Sequence, residues 1–210
     1  MKSTVRVLVA VLVVAFFGVG CAARQGTAPT RDTPAGTVEV FKLKARYGDS
    51  EGEWDILSPG FKRRISQQAG RHVDVADYTQ ARQMYRGNPQ VQLAERMLQT
   101  AVATQVRRVG PDRARVVIRT SGGPLAKSGE IGMVRVATWR LRVAGEPEPY
   151  QGYAGDPALV ATKQADGSYV ITSDGRTVAT VHASQVLAYE VESNWYVDDL
   201  GGMEQQFLMP

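Results

Sequence analysis

The first part of the chain after residue 30 has the apolar spacing of short helices. Val38, Phe41 and Ala45 recur at intervals of three and four, which places them on one face of a helix. Thr33 precedes this stripe as a capping residue, and Gly48 follows it as a break. The pattern therefore predicts one helix between these two residues.

Two further helix starts follow closely. Ser50 and Glu53 have the spacing of a capping box, in which a hydroxyl and a carboxylate each accept a hydrogen bond from a backbone N–H. Ser58, followed by a proline, predicts the start of a third helix that continues through Ile65. The pattern is looser over residues 67–87, where only a short helix near residues 79–85 is expected.

Asn88, also followed by a proline, predicts the start of another helix, and beyond residue 100 the apolar period changes to two. Strands are expected over residues 113–120 and 133–143, and a hairpin over residues 168–182. Two last strands are expected over residues 186–191 and 195–200. Helices followed by antiparallel strands predict an α+β fold.

The N-terminus shows a different pattern. Lys2 and Arg6 are followed by an apolar run from Val7 to Val19. This run of about 13 residues is shorter than the roughly 20 that cross a bilayer as a helix. Residues 1–20 are therefore predicted to be a secretion signal peptide.

The stretch Gly18-Val19-Gly20-Cys21 resembles a bacterial lipobox. This resemblance implies cleavage before Cys21, the chain's single cysteine, and attachment of lipid to its sulfur, which anchors the protein to the membrane. An uncut membrane anchor and an ordinary signal peptide with a chance cysteine are the alternatives. Residues 21–33 are small and polar and predict a flexible tether.

The predicted location is the bacterial cell envelope. Ala22 follows the cysteine, whereas an aspartate at that position resembles a signal for retention in the inner membrane. The outer membrane, facing the periplasm, is therefore favoured over the inner membrane.

Composition adds little beyond this. Lys2 and Arg6 lie in the predicted signal peptide, so the formal charge of +4 falls by two to +2 in the mature chain. Hydrophobic residues make up 43% and charged residues 22%, which is typical of a globular protein. Residues 34–210 are predicted to form a single domain.

Two stretches resemble nuclear transport factor 2-like domains: "TPAGTVEVFKLKARYGDSEGEWDILSP" near the start of the domain and "NWYVDDL" at residues 194–200. The resemblance implies a cone in which a curved antiparallel sheet wraps the helices and often leaves an apolar cavity. Many bacterial members are lipoproteins, and others are isomerases, cyclases or dehydratases. An extra segment at residues 145–185, which includes the predicted hairpin, departs from this pattern.

The resemblance directs attention to large aromatic side chains. They could line a cavity in the cone, or they could simply stabilise the core. The candidates for the cavity lining are Phe41, Trp54, Trp139 and Trp195.

Catalytic, metal and cofactor chemistry finds little support. His72 and Asp74 could form an acid–base pair, but exposed polar residues of a loop are the favoured explanation. With two histidines in the chain and the cysteine lipidated, a zinc site is not expected. No catalytic residue is assigned, and neither a metal nor a cofactor is predicted.

A set of arginines could form an anion-binding sheet face for envelope polyanions if the predicted strands are neighbours. The alternative is a solvated sheet surface. Nucleic acid is not an expected partner in this compartment. The set comprises Arg113, Arg115, Arg119, Arg140 and Arg142.

These observations favour a lipid-anchored envelope protein that acts without catalysis as a binding or assembly module, with an envelope protein as one partner. The first alternative is a carrier or sensor of a small apolar ligand in the cone. An enzyme of the isomerase or cyclase type is the second alternative.

Overall fold

The computed structural model describes residues 28–120 and 127–201. The predicted signal peptide, Cys21 and most of the predicted tether lie outside the described residues. Five α-helices precede the strands in the described part of the chain, and they confirm the predicted order. They are α1 Pro34–Tyr47, α2 Ser50–Ile56, α3 Pro59–Ala69, α4 Val75–Tyr85 and α5 Pro89–Thr100.

Capping side chains start the helices, largely as the sequence predicts. The Thr33 hydroxyl accepts a hydrogen bond from the Gly36 N–H at 3.1 Å, and the Ser58 hydroxyl accepts one from the Phe61 N–H at 2.9 Å. The side chain of Asn88 caps α5 in the same way. Short polar side chains that satisfy free N–H groups thus explain why the helices begin where they do.

The predicted capping box at Ser50 is wrong. Asp49 is the cap, since its carboxylate accepts a hydrogen bond from the Gly52 N–H at 2.8 Å. Ser50 is the first helical residue, and Glu53 turns into the interior, where it is buried. The predicted helix near residues 79–85 is too short. Helix α4 begins at Val75, after a capping box formed by Asp74 and Asp77.

The strands follow α5. A short 3-10 helix, Ala183–Gln185, precedes the last of them. The strands are β1 Ala101–Gly110, β2 Arg113–Thr120, β3 Ser128–Val143, β4 Tyr150–Tyr153, β5 Val160–Lys163, β6 Tyr169–Ser173, β7 Arg176–Val181 and β8 Val186–Asp199.

Strand β3 is the centre of a five-stranded antiparallel sheet that is curved but not closed. Residues 132–143 of β3 pair with β8 along one edge. Along its other edge it pairs first with β2, which in turn pairs with β1, and then with β4. Strands β5, β6 and β7 form a separate antiparallel sheet. The predicted hairpin is therefore part of a three-stranded sheet.

Two hydrophobic clusters stabilise the described fold. The larger joins the helices to the sheet and includes Phe41, Leu57 and Val116. The smaller lies between the second half of β3 and the three-stranded sheet, with Leu141 and Ile171 at its centre. None of the helices in residues 28–120 and 127–201 combines the length and the hydropathy needed to cross a membrane.

Candidate functional site

A cleft of about 680 Å³ lies beside α3, and we call it the Lys62 cleft. One wall comes from the helices, with Trp54 from α2 and Lys62 from α3. The loop before α4 contributes Val73, and the opposite wall comes from Tyr153 at the end of β4 and from the loop that follows it, including Pro157. The volume is in the range of small-molecule binding sites.

Helix α3 holds Lys62 at the cleft. Ser58 caps this helix, and its N–H donates to the Val197 carbonyl of β8 at 2.8 Å, which fixes the first turn to the sheet. Lys62 lies one turn after Ser58 and one turn before the partly buried Ile65. It therefore lies beside the buried face of α3 instead of on the solvent side.

The Lys62 ammonium group has aromatic neighbours. Its Nζ donates a hydrogen bond to the Tyr153 hydroxyl at 3.4 Å, and it lies 5.0 Å from the centroid of the Trp54 ring. The Tyr153 centroid is 5.7 Å away. Among the described residues, no carboxylate lies within ion-pairing distance of this ammonium group. The site therefore holds a largely buried cation between two rings.

Burial shifts the acid–base properties of both partners. It lowers the pKa of Lys62 to about 8, because the charged ammonium group loses hydration; Asp55 offsets part of this shift. Burial also raises the pKa of Tyr153 to about 12, because the phenolate would be the charged form. At pH 7 the pair therefore consists of an ammonium group and a neutral hydroxyl.

Three other charged groups of the cleft already have partners. Arg63 forms a salt bridge with Asp156 at 2.9 Å, which joins α3 to the loop after β4. The Asp74 carboxylate accepts a hydrogen bond from the Asp77 N–H at 2.9 Å, as the cap of α4. Of the lysine and arginine side chains in the described lining, Lys62 is therefore the cation that a ligand in the cleft can neutralise.

A buried ion pair supports the wall behind Trp54. The Arg82 guanidinium donates to both carboxylate oxygens of Glu53, at 2.8 and 3.0 Å, and also to Glu95. The Tyr78 hydroxyl donates to Glu53 at 2.8 Å, and its ring packs 5.2 Å from that of Trp54. Burial alone would lower the pKa of Arg82, but its hydrogen bonds to Glu53 raise it. This network holds α2, α4 and α5 together.

The four aromatic residues proposed from the sequence lie in different places. Phe41 and Trp195 are 2% and 1% exposed, and both belong to the larger hydrophobic cluster. Trp139 belongs to the smaller one. Trp54 alone of the four lines the Lys62 cleft.

The five arginines share one face of the main sheet. Arg113, Arg115 and Arg119 alternate along β2 with buried residues, and the register with β3 places Arg140 and Arg142 on the same side. They nevertheless form two groups: the first consists of the three of them in β2, and the second of the two of them in β3.

The first group lies near one end of the sheet. Arg115 pairs with Gly132 of β3, eight residues before Arg140, which corresponds to roughly 26 Å at 3.3 Å per residue. Glu130 and Asp199 form ion pairs with Arg115, and Glu190 lies opposite Arg140. Carboxylates thus offset part of the positive charge in both groups.

His72 and Asp74 both line the cleft, but Asp74 acts as a helix cap. Within residues 28–120 and 127–201, no three His, Cys, Asp or Glu side chains converge as metal ligands would. Cys21, the predicted lipidation residue, lies outside the described part of the chain.

Sequence reasoning missed Lys62 and Tyr153, which are separated by 91 positions in the chain. One signal was present, since Lys62 falls next to Phe61 and within one turn of Ile65, on the apolar side of a predicted helix. Tyr153 carries no comparable signal, because its place depends on how the extra segment folds back.

Comparison with known proteins adds no further constraint. No family model, no curated protein and no solved structure matches this chain.

Proposed function

We propose that this chain is a lipid-anchored protein of the bacterial cell envelope that binds a small organic anion in the Lys62 cleft without catalysis. The ligand has an apolar body and one carboxylate, phosphate or sulfonate group. A single observation carries the proposal: the Lys62 ammonium group is largely buried in the wall of a cleft, and no carboxylate of residues 28–120 and 127–201 pairs with it.

The apolar body of the ligand is inferred from the lining. Trp54, Val73 and Pro157 offer apolar surface to the cleft, and Pro59 adds to it. An anion that enters this lining would regain for Lys62 the stabilisation that burial removes. A neutral ligand of the same shape would leave the ammonium group without a counter-ion.

The absence of catalysis is inferred from the acidic groups of the cleft. Asp74 caps a helix and Asp156 pairs with Arg63, so neither of these carboxylates is oriented as a general base. The third carboxylate of the lining, Asp174, lies exposed in the turn between β6 and β7. The lipid anchor rests on the sequence Gly18-Val19-Gly20-Cys21. The nuclear transport factor 2-like cone remains part of the proposal, and the curved sheet and the order of helices before strands support it.

The test compares two probes with the same apolar body, 4-phenylbutyrate and 4-phenylbutanol. The full chain is placed in lipid nanodiscs, and binding is measured by isothermal titration calorimetry with empty nanodiscs as the blank. We expect 4-phenylbutyrate to bind at least tenfold more tightly at pH 7. This preference should fall about tenfold at pH 9, because a group with a pKa of about 8 is then mostly neutral.

Variants assign the effect to the cleft. Lys62→Met should abolish the preference for the anion, Lys62→Arg should retain it, and the exposed Lys163→Met serves as the matched control that leaves it unchanged. Equal affinities of the two probes for the wild-type chain, or a preference that survives in Lys62→Met, would overturn the proposal.

A further inference from the structure

Part of the free edge of β8 has no partner in the described structure. The edge that faces away from β3 is covered near the end of the strand, where the Trp195 N–H donates to the Arg31 carbonyl at 2.9 Å and Ser58 donates to Val197. Over residues 186–192, no other strand of the described chain pairs with this edge. We call these seven residues the β8 edge.

The β8 edge carries three large apolar side chains that solvent reaches, one of which, Tyr189, also stacks on the Tyr169 ring of its own chain. Leu187 is 68% exposed, Tyr189 41% and Val191 57%. Soluble proteins usually protect a sheet edge with charge, proline or a covering segment, because an apolar edge pairs with other strands. These exposures therefore indicate a strand-like partner.

The backbone direction is fixed by the covered part of the strand. The N–H of Trp195 and the carbonyl of Val197 point away from β3, since they bond to Arg31 and Ser58. The register between β8 and β3 runs without a shift from Ala188 to Tyr196. In a strand, the N–H and C=O groups of successive residues point to alternate sides. Tyr189 and Val191 are even numbers of residues away from Trp195, so they also present their N–H and C=O groups outward.

We propose that the β8 edge pairs antiparallel with the β8 edge of a second copy of this chain, with the two-fold axis at Tyr189. Leu187 of each copy then lies opposite Val191 of the other, and the two Tyr189 residues face each other. Pairs of this kind across two strands stabilise a sheet. The two main sheets become one continuous sheet with a symmetric interface.

Charge selects this register. An axis at Glu190 would oppose two carboxylates directly, and an axis at Val191 would oppose Glu190 and Glu192. With the axis at Tyr189, Glu190 of one copy lies opposite Ala188 of the other. An axis at Ala188 would run Val191 against the 3-10 helix, which cannot continue the ladder.

The arginines of the neighbouring strand complete the arrangement. In the register between β3 and β8 of one copy, Arg140 lies opposite Glu190 and Arg142 lies opposite Ala188. Across the proposed interface, each Glu190 therefore has Arg140 of its own copy on one side. On the other side, beyond the small Ala188, it faces Arg142 of the second copy. The interface joins opposite charges on one face and apolar side chains on the other.

The first test is register-specific cross-linking of the full chain in its membrane. Tyr189→Cys should form a disulfide-linked dimer on mild oxidation, because facing residues of a hydrogen-bonded pair have Cα atoms about 5.5 Å apart. Val191→Cys alone should not, since the two copies of residue 191 are offset by four positions. The double variant Leu187→Cys/Val191→Cys should cross-link again. The wild-type chain controls for linkage through Cys21, and exposed Leu93→Cys controls for collision.

The second test breaks the interface without touching the β3 ladder. Val191→Pro removes an outward N–H, so the variant should be monomeric by native mass spectrometry while the wild-type chain is a dimer. Circular dichroism checks that the variant keeps its fold. A monomeric wild-type chain, or cross-linking of Val191→Cys in place of Tyr189→Cys, would overturn the proposed pairing.

Discussion

Two buried cations in this protein have opposite surroundings. Arg82 is neutralised by Glu53 in a bidentate contact, so its charge is retained at a modest cost. Lys62 has two aromatic rings and a hydroxyl as neighbours, which compensate less for its lost hydration. The first cation stabilises the packing of helices, whereas the second keeps a destabilising charge at a surface that a ligand can reach.

We predict that Lys62→Met raises the free energy of unfolding at pH 7 by about 1–3 kcal/mol, because the variant no longer buries an ammonium group. Binding of 4-phenylbutyrate weakens in the same variant, as expected for a functional group that costs stability. Urea unfolding measures the first effect, and lower stability of Lys62→Met at pH 7 would contradict it.

The pH dependence follows from the lowered pKa of Lys62, which is about 8 in the folded chain and has an ordinary value of 10.5. Below pH 8 both the folded and the unfolded wild-type chain carry the proton, and the cost of burial is fully present. Between pH 8 and 10.5 the unfolded chain holds more protons, so the wild-type free energy of unfolding rises with pH. The advantage of Lys62→Met should therefore shrink across this interval in the same urea experiment.

At the scale of single elements, the sequence predicted helix starts better than strand limits. Caps such as Thr33 and Ser58 act locally, so their effect is visible in the sequence. Strand β3 begins five residues before its predicted start, because Gly132 reads as a loop residue. In the structure it lets β8 approach, since a Cβ there would lie 2.8 Å from the Cβ of Asp199. Strand β8 was expected as two strands because its polar residues around 193 resemble a turn.

Strand β4 depends on a glycine in a similar way. Gly152 lies opposite Trp139, and a Cβ at this position would lie 2.8 Å from the Trp139 ring and 2.8 Å from the Leu159 carbonyl oxygen. We predict that Gly152→Ala lowers the free energy of unfolding by about 1–3 kcal/mol, because neither the buried ring nor the backbone can retreat freely. It should also weaken 4-phenylbutyrate binding, since Tyr153 is the next residue.

Gly110→Ala is the matched control, because a Cβ there meets no atom within 4 Å. Urea unfolding and calorimetry distinguish the two variants. Equal stability of both would show that β4 adjusts more easily than this packing implies.

At the scale of the whole molecule, the sequence predicted the α+β class and the order of helices before strands, and the structure confirms both. It could not predict which distant segments meet. The Lys62 cleft needs α3 and the loop after β4, and the smaller cluster needs β3 and β6. Such contacts depend on how the extra segment packs, which local periodicity does not encode.

The two hydrophobic clusters predict a division of stability. Ile171→Ala should remove packing from the smaller cluster, with a local cost of about 2–5 kcal/mol. Hydrogen exchange measured by mass spectrometry should then accelerate in β5, β6 and β7 and change little in α1 and β2. Exposed Val178→Ala in β7 is the control, and uniform acceleration throughout the chain would show instead that the clusters unfold together.

If Cys21 carries the proposed lipid, the hydrogen bond between Trp195 and Arg31 limits how far the folded domain can lie from the membrane. Ten peptide units separate Arg31 from Cys21, and a linker of this length spans at most about 36 Å when fully extended. With the acyl chains proposed at Cys21, the linker therefore keeps the domain within this distance of the bilayer surface. A ligand must therefore diffuse to the membrane surface to be bound, because the domain cannot diffuse away from that surface.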